Sequence, residues 1–230
     1  MIVSKVENLK CILEALPQVV SIGNIEIVNN IIKYISIKTQ SAGRLVAQQI
    51  DEQDAPDLFK FYFEGLSEKP RRLLAPYPLF NTPPSSIGEL AKRIKDWEKE
   101  HDWTAINLKK DGNIIGFCLL KRYFKKQATS GIAIRDDFLK LGLGYLLQNI
   151  IIEQARILKL KKFHVKIVSD NMASIRLHEK CGFRFTRVLP PTLYEELLKY
   201  LNECDIRNGI KPKDRRIIEM VIELDDGRSQ

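Results

Sequence analysis

Residues 131–183 read GIAIRDDFLKLGLGYLLQNIIIEQARILKLKKFHVKIVSDNMASIRLHEKCGF. An apolar strand ends at Ile134, and a polar turn, Arg135-Asp136-Asp137, follows it. Leu141-Gly142-Leu143-Gly144 then opens a helix to Leu158, in which Leu143, Leu147, Ile150, Ile151 and Leu158 recur at helical spacing. Phe163, Val165 and Ile167 alternate as in a strand, with His164 on its other face. Asn171 stands at the start of a second helix and Gly182 at its C′ position. Glycines at a strand-to-helix turn let the backbone approach a ligand, and the first helical N–H groups have no partners of their own. Such a turn is an anion site, most naturally for phosphate, although a G-x-G before a helix also serves as a plain tight turn. A dinucleotide fingerprint would need glycine at position 147, where the chain has Leu147.

Two boxes in this stretch carry a resemblance. Leu139-Lys140-Leu141-Gly142-Leu143-Gly144 is similar to the [QR]-x-x-G-x-[GA] pyrophosphate loop of the GNAT superfamily of N-acetyltransferases. Asn171 to Phe183 is similar to its downstream N-x-x-[AS]-x-x-[LF]-[YH]-x-x-x-G-F box. The resemblance covers Arg44 to Leu224. It implies an α/β fold, a mixed and mostly antiparallel sheet with helices on both faces, and acetyl-CoA as co-substrate. The diphosphate is expected on the backbone N–H groups of Leu141, Gly142, Leu143, Gly144 and Tyr145. The pantetheine arm is expected along Ile132, Ala133 and Ile134, paired like an added strand. Asn171 would bond that arm or simply cap its helix. Ser174 belongs to the same box, and Lys180 would reach an anionic part of CoA or remain a solvated helix charge.

His178 stands where many relatives have the tyrosine that protonates the departing thiolate. An imidazolium, of reference pKa about 6.5, is an adequate acid for a thiol of about 8.5. The plainer role is a partly buried histidine closing the helix. The chain departs from the family pattern twice. Leu139 occupies the [QR] position, with Lys140 beside it to supply charge, and Thr129 occupies the place of a general-base glutamate. Water held by Thr129 or Ser130 is therefore expected to take the amine proton, with Glu64 and Asp136 as remoter candidates. The implied activity is acetyl transfer from acetyl-CoA to a primary amine, small molecule or protein lysine, by direct attack. The alternative is an acyl-CoA-binding regulatory module that has lost turnover, motivated by the same two departures.

Bulk properties agree with a folded globular chain. The chain has 230 residues, 44% of them apolar, enough for a proper core in one domain plus an extension. Its longest uncharged apolar run, Ile114 to Leu120, falls far short of the ~20 residues that cross a bilayer. The first ten residues lack a signal-peptide pattern, so a cytoplasmic location and no membrane partner are expected. Cys11, Cys118, Cys181 and Cys204 have no C-x-x-C spacing and the three histidines lie far apart. Buried reduced thiols and no metal are expected. The net charge of +8 is interspersed along the chain, which argues against nucleic acid as partner.

The domain reading is an N-terminal extension over 1–42, an acetyltransferase domain over 43–224 and a tail over 225–230. The extension reads as a helix from Lys5 to Leu16, stopped by Pro17, then a hairpin turning at Asn29-Asn30. It covers a sheet edge, mediates a homodimer or forms a small accessory domain. Capping boxes at Ser86–Glu89 and Thr192–Glu195 start two more helices, the second an insertion relative to the family. Lys110-Asp111-Gly112 turns a second hairpin.

Overall fold

Two hairpin turns fix the sheet. Asn29 and Asn30 have φ of 51° and 65°, and Asp111 and Gly112 have 48° and 81°. These paired left-handed residues match the twist of two-residue hairpins. The first turn joins β1 (Val19–Val28) to β2 (Ile31–Thr39), and the second joins β4 (Trp103–Lys110) to β5 (Asn113–Lys121). The computed structural model describes residues 2–68, 70–71, 84–99, 103–121 and 128–224. Expectations for the Pro-rich stretch through residue 83, for His101 and for the 225–230 tail lie outside the described residues.

In chain order the remaining elements are α1 (Ile2–Glu14), β3 (Gly43–Gln49), α2 (Ala55–Phe63), α3 (Ile87–Lys99) and β6 (Thr129–Ile134). There follow α4 (Leu143–Ile157), β7 (Lys162–Val168), α5 (Met172–Lys180), β8 (Arg184–Val188), α6 (Glu195–Arg207) and β9 (Ile217–Glu223). Among the described residues nine strands form one sheet in the order β1-β2-β3-β4-β5-β6-β7-β9-β8. Every neighbouring pair is antiparallel except β6 and β7. This is the expected mixed, mostly antiparallel α/β architecture.

Strand alternation sorts side chains to two cores. On one face, Ile115, Cys118, Leu120, Phe163 and Val165 meet α4, whose Leu146, Leu147, Ile150 and Ile151 are fully buried. Burying such a side chain is worth about 1.5–3 kcal/mol. On the other face, Phe117 and Leu119 meet α2 and α3. The first core also takes in Leu9, Leu13, Ile32, Ile35 and Ile37, so residues 1–42 share it with α4. Gln154 of α4 pins the first hairpin, its Oε1 accepting from Ile32 N–H at 2.7 Å and its Nε2 donating to Asn30 O at 2.8 Å. No helix among the described residues is long and apolar enough to cross a membrane.

Three local expectations are corrected. The inserted helix begins at Glu195 after a 3₁₀ turn over Pro191–Leu193, and Thr192 does not cap it. The two prolines set that tight turn, so the N-terminal position falls to Tyr194. In the Ser86 box the hydroxyl accepts from Glu89 N–H, but Glu89 reaches back to Ser85 N–H. Not every cysteine is buried: Cys118 and Cys204 are, whereas Cys11 is exposed and Cys181 half-buried. All four are free.

Candidate active site

The parallel pair β6–β7 is joined at one end only. Thr129 faces His164, and His164 N–H donates to Ala128 O at 2.8 Å. Beyond that point the strands part. Because Ala128 O points toward β7, and Arg135 N–H points the other way to Ile115 O at 2.9 Å, the even-numbered backbone groups of β6 face the gap. Those of Ile132 and Ile134 thus have no strand partner on that side. The gap is the floor of a cleft of about 600 Å³.

One end of the cleft is the turn before α4. Lys140 and Gly142 have φ of 63° and 78°, and no side chain caps the helix at Gly142. The N–H groups of the first turn are therefore presented to the cleft. The turn is braced from outside by the N-terminal region: Ser41 Oγ donates to Leu141 O at 3.0 Å and Gln18 Nε2 to Gly142 O at 3.3 Å. In a trans peptide the N–H points opposite to its C=O. Holding those two carbonyls therefore aims the N–H groups of Gly142 and Leu143 away from Gln18 and Ser41. A Cβ on Gly142 would lie 3.2 Å from Gln18 Cβ, whereas one on Gly144 would meet nothing closer than 3.6 Å. Gly142 answers to the backbone; Gly144 leaves open room beside the helix start.

The other wall is α5. Asn171 accepts from Ser174 N–H at 3.3 Å, so it does cap its helix while also lining the cleft. Gly182, at φ 90°, closes α5. Phe183 then turns inward and stands edge-on to His178, ring centroids 5.1 Å apart. His178 is only 3% exposed. Its Nδ1–H donates to Ser174 O at 2.7 Å, which leaves Nε2 as an acceptor, buried and without a partner. Burial lowers its pKa to about 4. The ring is therefore neutral at rest, because the apolar packing around Phe183 disfavours the charged form. Burial likewise holds the Cys181 thiol up at about 12, which keeps it inert.

The cleft brings together Thr129, Ser130, Ile132, Ala133 and Ile134 on β6. It also takes in Leu139, Lys140 and Gly142 through Tyr145 at the turn, and Asn171, Ser174 and His178 on the far wall. The hydroxyls of Thr129 and Ser130 are buried without partners. Two expected residues stand apart. Leu141 turns its side chain into the core and only its backbone belongs to the turn. Lys180 sits over the Tyr145 ring at 4.3 Å rather than in the cleft, since helical spacing carries it past that wall. Glu64 and Asp136 line a separate pocket beside α2, where Asp136 accepts from Ser67 N–H at 2.8 Å. Sequence reasoning missed Lys121, Lys166, Tyr194 and Leu197, which also line the cleft, and the bracing Gln18 and Ser41. Only Lys166 left a signal, by alternating with Phe163, Val165 and Ile167.

The profile of the acetyltransferase (GNAT) domain matches residues 44–184. No curated protein matches the chain. Among solved structures, an acetyltransferase from Salmonella typhimurium with its cofactor acetyl-CoA aligns with a TM-score of 0.57 at 16% identity, covering 81% of this chain and 97% of that one. A ribosomal-protein-alanine N-acetyltransferase from Brucella melitensis gives 0.57 at 18%, covering 77% and 99%. The Vibrio cholerae spermidine N-acetyltransferase in complex with CoA and spermine gives 0.58 at 18%, covering 78% and 95%. At such identities the likeness is one of fold.

Proposed function

The chain belongs to the GNAT family and is an N-acetyltransferase that uses acetyl-CoA, and from that premise we propose that it transfers the acetyl group directly to a primary amine, with His178 carrying the proton. Acetyl-CoA supplies the thioester carbonyl that is attacked and the thiolate that leaves. The cleft fits it: an uncapped helix start for phosphate, an unpaired strand edge for the pantetheine amides, and an orphaned buried Nε2 beyond them. The N–H groups of Gly142 through Tyr145 hold the diphosphate, with Lys140 adding charge. Backbone groups of Ile132 and Ile134 position the arm, and an N–H of this edge steadies the carbonyl oxygen as charge develops, a donor worth about 10²–10³ in rate.

The single observation that carries the proton assignment is the neutral, unpartnered Nε2 of His178. That atom accepts a proton from the amine nitrogen as the N–C bond forms and returns it to sulfur as the C–S bond breaks. Thr129 and Ser130 hold water at the vertex of the cleft. The test is thiol release from acetyl-CoA with a panel of primary amines, together with mass detection of the acetylated product. Amine-dependent release with product formation supports the proposal. Acetyl-CoA binding with no transfer to any amine refutes it and leaves the silent acyl-CoA-binding module.

A further inference from the structure

Between α6 and β9 the chain runs Lys211-Pro212-Lys213-Asp214-Arg215-Arg216, a basic segment none of whose residues lines the cleft. The Arg215 side chain is nonetheless buried, and its guanidinium divides among three groups. Nε–H donates to Asp170 Oδ2 at 3.0 Å and Nη1–H to Asn202 Oδ1 at 2.9 Å, while Nη2 forms an ion pair with Asp205 Oδ2 at 2.6 Å. Asn202 and Asp205 belong to α6, whereas Asp170 belongs to the turn after β7. Arg216 adds a second attachment to that turn: its N–H donates to Ser169 Oγ at 3.1 Å, and its carbonyl accepts from Ser169 N–H at 2.8 Å. Lys213 also faces Asp170, at 3.6 Å, but is 53% exposed, where a pair contributes little.

The Ser169-Asp170 turn delivers Asn171 to the cleft. Asn171 N–H donates to Val168 O at 2.9 Å, and its Oδ1 accepts from Ser174 N–H. The side-chain nitrogen is what remains to meet a ligand, and a pantetheine amide carbonyl laid against β6 can accept from it. Whether the two meet depends on where the Asp170–Asn171 peptide sits. β7 has ended at Val168 by then, so no strand partner holds that peptide. On the other side, α6 rests on the sheet through a cluster that includes Val168, Leu189, Leu201 and Ile217. A planar guanidinium shared between Asp170 and Asp205 fixes the turn against that helix in distance and in direction. A single ammonium could serve only one of the two carboxylates.

Resting on the reading that CoA occupies this cleft, we propose that Arg215 is a positioning residue for the donor. By tying Asp170 to α6 it sets Asn171 where its amide meets the pantetheine arm. The test is calorimetric titration of CoA into the full-length chain and its variants, each shown to be folded by cooperative urea unfolding. Arg215→Gln is expected to weaken CoA binding about fivefold, the loss of about one hydrogen bond, and Arg215→Lys to recover little of it. Asn171→Ala is expected to weaken binding by a similar factor. Adding Arg215→Gln to Asn171→Ala is then expected to change the affinity by less than about twofold, because the group being positioned is already gone. A merely structural role would leave the affinity of the folded single variant alone, or would multiply through the double variant. Should Arg215→Gln not fold, Asp170→Asn, of the same shape without the charge, takes its place with an expected loss of about threefold. Affinity in the folded single variant indistinguishable from the parent, or a double variant whose loss is the product of the two singles, overturns the inference. A parent that binds CoA but acetylates no amine refutes the proposed function, and the CoA affinities still decide the role of Arg215. A parent that binds no CoA refutes both.

Discussion

Replacing His178 with phenylalanine keeps a ring against Phe183 and removes a group that titrates. In the folded chain burial holds the imidazole at about 4, against about 6.5 when exposed. That gap is worth about 3 kcal/mol at 1.36 kcal/mol per pH unit. The sign follows from proton counting. Between those two pH values the unfolded chain binds the proton and the folded one does not. The contribution is therefore complete above pH ~6.5 and is lost progressively as pH falls toward 4. At pH 5 the parent should have lost about 2 kcal/mol that it holds at pH 7, a loss the His178→Phe variant escapes. Urea denaturation of both proteins at the two pH values measures this, and the difference between them cancels the other carboxylates and histidines. The same variant should lose about 10²–10⁴ in turnover with acetyl-CoA affinity preserved. A parent-minus-variant difference that stays flat from pH 7 to pH 5 would refute the neutral buried ring, and an unchanged turnover would remove it from the proton path.

Two further outcomes follow from the braces around the cleft. Gln18→Ala and Ser41→Ala each remove a donor to the turn before α4, and each should weaken acetyl-CoA binding by about 1 kcal/mol, some fivefold, with kcat at saturation unchanged. Calorimetric titration showing full affinity in the double variant would deny these residues a positioning role. Arg215 is 7% exposed and binds Asp205 of α6 at 2.6 Å and Asp170 at 3.0 Å. Arg215→Leu removes a shared cation from Asp205 and Asp170, the latter still facing Lys213 at 3.6 Å, and should cost about 1–3 kcal/mol in denaturant unfolding. A loss under about 1 kcal/mol would mean that water satisfies them.

Local chemistry made much of this molecule legible in its sequence. The Asn29-Asn30 and Asp111-Gly112 turns carry their own left-handed backbone preference, and the Phe163-Val165-Ile167 alternation names the buried face of β7. The two boxes located the turn before α4 and the wall bearing His178. What escaped depends on contacts far apart in the chain. His178 could be seen but not its protonation state, which Phe183 and the surrounding core impose. Thr192 looked like a cap because the pattern ignores the 3₁₀ turn set by Pro190 and Pro191. Lys121 and Lys166 become neighbours of one cleft only because β6 and β7 meet at Thr129 and then separate. Nothing near Gln18 or Ser41 announces a target a hundred residues or more later.

The clasp between Gln154 and the Asn29-Asn30 turn sets a timetable for the newborn chain. Its partners lie 122 and 124 positions apart, so the first hairpin leaves the ribosome long before the helix that grips it exists. An isolated two-stranded ribbon is marginal in water, and closing so long a loop comes late. The orientation of the Gly142 and Leu143 peptides waits on that closure, because Gln18 and Ser41 flank the same hairpin. The turn proposed to hold the donor nucleotide is therefore fully braced only when the oldest and among the youngest parts of the polypeptide have met.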